Sequence, residues 1–227
     1  MSQRGLAGRQ FLPTLLLGIA AWTVSASTAT AHPHVWATVR SEIIVDQDQR
    51  ITGIRHAWTF DEFYTAMALE GLDTDGDGVY SKDELKPLAE VNVTSLKEFD
   101  FFTFVHLGEA DDPLPLKQPI DYWVEFDKTL LTLHFTLPLE KPLDASGKDV
   151  QVDVYDPSFF VAFGFAKEEP VTISGKEAPG CGAAIKAQDP DSEDTKAISE
   201  AFFSQLGPGS NYGSQFAQTA IVTCAKR

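Results

Sequence analysis

Basic residues and sulfur are both scarce in this chain of 227 residues: 18 lysines and arginines stand against 33 acidic residues, and there are two cysteines and two methionines. The formal net charge of −15 excludes a nucleic-acid partner as the default reading, because phosphate contacts need a basic surface and none is visible. No G-x-S-x-G, Walker loop or pair of closely spaced thiols occurs, which leaves hydrolase, phosphate-loop and thiol chemistry without support. Beyond the N-terminal segment no stretch approaches eighteen apolar residues, so nothing is expected to hold the product in a bilayer. Internal repeats and low-complexity linkers are also missing.

The N-terminal segment itself has the three parts of a secretory signal. Arg4 and Arg9 are followed by a short apolar run at 12–24 and by Ala29-Thr30-Ala31, an A-x-A cleavage site. Residues 1–31 are therefore expected to be removed. What remains, 32–227, is expected to form a single β-rich metal-binding domain, and loss of two basic and no acidic residues takes its charge to −17. In an oxidising compartment the pair Cys181 and Cys224 is expected to form a disulfide, stabilising by about 3–4 kcal/mol through loop closure.

Short alternating runs dominate this portion. Val35, Ala37 and Val39 alternate with Trp36, Thr38 and Arg40, and 51–59 follows a polar turn, which together predict a hairpin. Strands are also expected at 99–107, 122–126, 131–137, from Val150, and at 216–224, with 159–165 buried on both sides and a helix at about 195–206. The fold class predicted is mainly β with an α insertion: an antiparallel β-sandwich or open barrel carrying one helix-loop-helix at about 59–98.

That insertion holds the most specific motif. Asp73-Thr74-Asp75-Gly76-Asp77-Gly78-Val79-Tyr80-Ser81-Lys82-Asp83-Glu84 matches the twelve-residue EF-hand calcium loop. A hard cation of this size takes six to eight oxygens, here expected from Asp73, Asp75, Asp77, the Val79 carbonyl, Ser81 and a bidentate Glu84, with Gly78 at the sharp turn. Thr59 to Glu62 reads as a capping box for an incoming helix, with Trp58 and Phe63 as its apolar staple, and Ser81 to Glu84 as one for the outgoing helix. A degenerate echo of the spacing, Asp189, Asp191, Glu193 and Glu200, has Asp194 where glycine is required and is weighed against a capped helix start.

Cleavage after Ala31 would leave His32 at a free N-terminus and His34 two residues on, where amine and imidazole nitrogens suit zinc, copper, cobalt or nickel. Pro33 has no amide proton, which disfavours the square-planar amino-terminal copper/nickel site. His56 is the candidate third ligand, because its strand is expected to pair with the one beginning at His32-Pro33-His34. His134 reads as a surface residue and His106 as a hydrogen-bonded core residue.

Ala31-His32-Pro33-His34-Val35-Trp36, Trp58 to Phe63, the 73–84 loop, Val154-Tyr155-Asp156-Pro157 and Phe216-Ala217 before Cys224 together resemble a bacterial periplasmic family of unknown function. Its members are described as the periplasmic component of an uncharacterised transport system, associated with nickel/cobalt-type permeases and with zinc uptake. The resemblance implies a periplasmic location and a non-enzymatic role, metal capture or delivery for an inner-membrane metal permease. On this reading the histidines hold zinc, or nickel, cobalt or copper, and the loop takes calcium. Two rivals stand beside it: a calcium-dependent structural or interaction module with an idle N-terminus, and a copper enzyme in which His32 and a second histidine form a histidine brace.

Overall fold

The computed structural model describes residues 33–174, 180–186 and 211–226. The expected signal peptide, His32, the helix at about 195–206 and the acidic stretch with Glu200 lie outside the described residues.

β1 (Val35–Val45) sets the frame. Its alternation buries Val35, Ala37, Val39, Ser41 and Ile43 on one face and leaves Trp36, Thr38 and Arg40 exposed on the other. The chain turns back at Asp46, whose carboxylate accepts the Asp48 and Arg50 amides at 2.9 Å each, and β2 (Ile51–Phe60) returns antiparallel. β4 (Ile120–Phe126) and β5 (Leu131–Leu143) extend this sheet beyond β2. Its order is β4-β5-β2-β1-β7, with β7 (Val161–Phe165) and β8 (Val171–Ile173) both on β1.

That far edge departs from the antiparallel expectation, because β7 and β8 run parallel to β1. The chain reaches them from β6 (Asp149–Val154) of the other sheet through a turn at Asp156, so it enters in the direction of β1. Nor is the 159–165 run buried on both sides. β7 ends the sheet, its residues are half-buried, and Phe160 just before it is 46% exposed. The second sheet is antiparallel throughout, in the order β3-β6-β10-β9, with β3 (Thr103–Leu107), β9 (Cys181–Lys186) and β10 (Thr219–Cys224). The expected disulfide ties Cys181 to Cys224 across the paired β9 and β10. The architecture is mainly β, with two sheets and no closed barrel.

One face of β1, β2 and β5 is covered by two different things. At one end Ile43, Ile51, Ile54 and Leu139 pack with Val105, Val150, Val152 and Val222 of the second sheet. At the other, Val39, Trp58 and Leu133 pack with Leu69 of α1 (Glu62–Leu69) and with Leu85, Ala89, Val93 and Leu96 of α2 (Lys82–Leu96). These helices stand between β2 and β3, where the insertion is expected. The strand expected from Phe99 begins only at Thr103. Residues 97–102 form a tight 3-10 turn in which Asp100, Phe101 and Phe102 all have positive φ, which buries the rings of both Phe101 and Phe102 instead of alternating them.

His56 sits where the two covers meet. It is fully buried between Ile54 and Trp58, with Ser41 Oγ 2.9 Å from Nδ1 and Thr103 Oγ1 3.3 Å from Nε2, so its ring links the first sheet to the start of the second. Burial holds its pKa down to about 3 from the ordinary 6.5. The unfolded chain therefore binds this proton more readily than the fold. The stability due to neutral His56 is complete above about pH 6.5 and is lost as pH falls from there toward 3. We expect His56→Leu to cost about 1–3 kcal/mol at neutral pH, mostly from the buried Ser41 hydroxyl left unpaired, and to flatten the pH dependence of stability over this window. Denaturant titrations of both proteins between pH 7 and 4 check this; equal slopes would contradict it.

Candidate metal centre

Asp61 opens the helical insertion. Its Oδ1 accepts the Phe63 and Tyr64 amides at 2.9 and 3.0 Å, capping α1, while Oδ2 accepts the Trp36 amide at 2.8 Å and fixes the helix to the start of β1. The cap is thus Asp61 and not Thr59, whose hydroxyl instead meets Thr132 across β2 and β5 at 2.9 Å. The expected staple is also absent, since Trp58 is buried and Phe63 is 74% exposed.

After α1 the chain passes Gly71 into the 73–84 loop. Gly76 and Gly78 have φ of +75° and +76°, a backbone that any side chain would strain. The loop carboxylates fold inward on the loop's own amides: Asp73 accepts from Gly76 at 2.8 Å and Gly78 at 3.0 Å, Asp75 from Asp77 at 3.2 Å, and Asp77 from Val79 at 2.7 Å. At the far end the expected capping box forms, with the Ser81 hydroxyl accepting the Glu84 amide. Glu84 Oε2 accepts the Ser81 amide at 2.9 Å and its hydroxyl at 2.8 Å; Oε1 accepts the Thr74 amide at 2.7 Å and its hydroxyl at 2.8 Å. These donors, led by the Ser81 amide, hold the Glu84 pKa down to about 2.

Ligand oxygens of Asp73, Asp75 and Glu84 lie within 4.8 Å of one another. Of the six expected ligand residues, these three carboxylates are brought together. Asp77 is turned to the Val79 amide, Ser81 bonds to Glu84, and Val79 is an exposed residue of the same loop. A set of hard oxygens of this kind fits a cation such as calcium or magnesium and no soft metal. Tyr80 anchors the loop to the sheet, edge-on to Phe126 with ring centres 5.4 Å apart.

The four described histidines are dispersed. His34 is exposed at the head of β1, its amide donating to the Phe160 carbonyl at 2.9 Å and its ring 4.8 Å from that of Phe160. The strand pairing expected between His34 and His56 does occur, but the antiparallel register sets His56 opposite Ser41. That is seven residues along β1 from His34, about 23 Å at the usual strand rise. With both ring nitrogens facing hydroxyls inside the core, His56 is a structural residue in this arrangement. His106 is half-buried, with Nδ1 donating to the Ala110 carbonyl at 3.2 Å. His134 is also half-buried: it stacks nearly parallel on Trp123 at 4.4 Å, and its Nε2 is 3.4 Å from Glu125. Sequence reasoning passed over the role of Asp156. This buried carboxylate accepts from Ser158 N, Ser158 Oγ and Val161 N, shaping the turn that presents Phe160 to His34. The Asp156-Pro157-Ser158 composition is the turn signal that could have found it.

The chain belongs to the family described as "Protein of unknown function (DUF1007)", whose profile matches residues 17–224. It is 22% identical over 194 residues to an uncharacterized protein of Haemophilus influenzae, covering 86% of this chain and 91% of that one. It is also 28% identical over 115 residues to an uncharacterized 15.5 kDa protein in the trpE 3' region of Spirochaeta aurantia, covering 51% of this chain and 80% of that one.

Glu84 accepts four hydrogen bonds, from the amides and hydroxyls of Thr74 and Ser81, so its carboxylate ties the two ends of the loop together. Glu84→Gln should therefore lower the melting temperature in excess chelator by several degrees, because the amide supplies only one accepting oxygen. Thermal melting followed by circular dichroism checks it; an unchanged midpoint would show that these bonds are replaced by water at no cost.

Proposed function

We propose that this member of the family is a periplasmic, non-enzymatic metal-binding protein that serves an inner-membrane metal permease, with a structural calcium ion in its EF-hand loop. The observation that carries the calcium reading is the convergence of Asp73, Asp75 and Glu84 within 4.8 Å in a loop whose glycines take the required positive φ. Asp77, the Val79 carbonyl and Ser81 would complete a set of six or more oxygens around such an ion. The ion also neutralises crowded carboxylates and fixes α1 and α2 over the sheet. An affinity of about 10⁻⁴–10⁻³ M, as in extracellular modules, suffices for this role.

The transition-metal reading rests on different ground. His34 stands exposed at the head of β1, and the His-Pro-His segment belongs to the blocks that resemble the zinc- and nickel/cobalt-associated family. Nitrogen ligands from His32 and His34, with the terminal amine, suit zinc first and nickel, cobalt or copper next. His56 has no part in it. A second reading, a calcium-dependent structural or interaction module, is favoured by the separation of His34 from His56 and by the lack of a histidine-containing metal cluster among the described residues.

Two titrations separate these readings. Calcium should raise the melting temperature of the wild type and have little effect on Glu84→Gln. With calcium saturating, protein beginning at His32 should bind zinc by isothermal titration, and the double variant His32→Ala/His34→Ala should lose that binding while keeping its response to calcium. Unchanged zinc affinity in the double variant would leave the calcium module as the function; no response to calcium would remove both.

A further inference from the structure

The outward face of the first sheet carries a depression independent of the loop and of the N-terminal histidines. Its floor is Ala57, which pairs with Arg40 of β1 on one side and His134 of β5 on the other, so a small side chain lies between two large ones. Its rim includes Arg55, Glu169 and Thr172, and it encloses about 250 Å³, room for roughly eight water volumes. His134 is backed by the Trp123 ring, giving that wall a rigid aromatic body. Burial lowers the His134 pKa, which favours the neutral ring as a hydrogen-bonding wall.

The charges around this depression are arranged unusually. Arg50 is tied to Asp46 and Asp48, and Arg55 to Glu42, leaving Arg40 as the one arginine among the described residues without a carboxylate partner. Glu169, beside it through the Ser41 amide bond to the Pro170 carbonyl, likewise has no partner among the described residues. Arg40 and Glu169 border one cavity with the paired Arg55 and Glu42, yet no ion pair joins Arg40 to Glu169. A guanidinium fork suits a carboxylate, and a carboxylate at a distance suits an ammonium. A simple polyanion is disfavoured by Glu169 and Glu42 on the same rim.

We propose that this depression binds a small zwitterion with a carboxylate and an ammonium group, an amino acid, through Arg40 and Glu169 respectively. The neutral wall of His134 and Thr172 contacts the remainder of the ligand. The reading does not depend on either metal site.

Isothermal titration of the calcium-saturated protein with L-glutamine, N-acetyl-L-glutamine and inorganic phosphate tests it. Saturable binding of L-glutamine is expected, weakened about tenfold or more by acetylation, which removes the ammonium, and not reproduced by phosphate. Arg40→Gln should abolish binding, Glu169→Gln should weaken the amino acid without affecting the acetylated form, and both substitutions, being on exposed side chains, should leave the melting temperature unchanged. No saturable binding of L-glutamine would overturn the proposal. So would equal binding of the acetylated form or phosphate, or undiminished binding by Arg40→Gln.

Discussion

The inward face of β1, β2 and β5 is longer than either layer that covers it, and the rest of the structure follows from that mismatch. Ile43, Ile54 and Leu139 are sealed by the second sheet, and Val39, Trp58 and Leu133 by the helices. A continuous apolar strip would allow either cover to slide over the junction. Instead a histidine stands there, held neutral by burial and linked to Ser41 on its own sheet and Thr103 on the other. A buried polar group left without partners is costly, so the hydroxyl-imidazole-hydroxyl chain ties the second sheet to the first at this junction.

This arrangement explains why the 73–84 loop can be both exposed and well placed. The 73–84 loop contributes little to the core, but it is held at both ends: Asp61 binds α1 to β1, and Leu85, Ala89 and Val93 press α2 onto the sheet. Loop carboxylates would repel one another if left free. Here the amides of Gly76, Gly78, Asp77 and Val79 and the donors of Thr74 and Ser81 take up their oxygens. The loop is thus ordered by its own donors, and a site ordered in this way costs less to bind than one the ligand must arrange.

Local signals were the legible ones. The β1–β2 hairpin, the helical insertion, the Ser81–Glu84 capping box and the cysteine pair all depend on neighbouring residues or on the lack of alternatives, and each could be read directly. Register and edge were not. Pairing of the strands of His34 and His56 follows from the sequence, but which residues face each other depends on the turn at Asp46 and on burial of Ser41, and it separates the two histidines along the strand. The parallel course of β7 reflects a crossing between sheets, which leaves no periodic trace. The aromatic run at 99–102 misled because three left-handed residues break the alternation of its side chains.

The central claim is that the helical insertion is an ion site serving the fold. Equilibrium titration of the protein with calcium, against a competing chelator and repeated in millimolar magnesium, tests it most directly. One calcium ion per chain, little displaced by magnesium and lost in Asp73→Asn, is the result this account predicts. No bound calcium at millimolar concentration, or an affinity indifferent to Asp73, would contradict it.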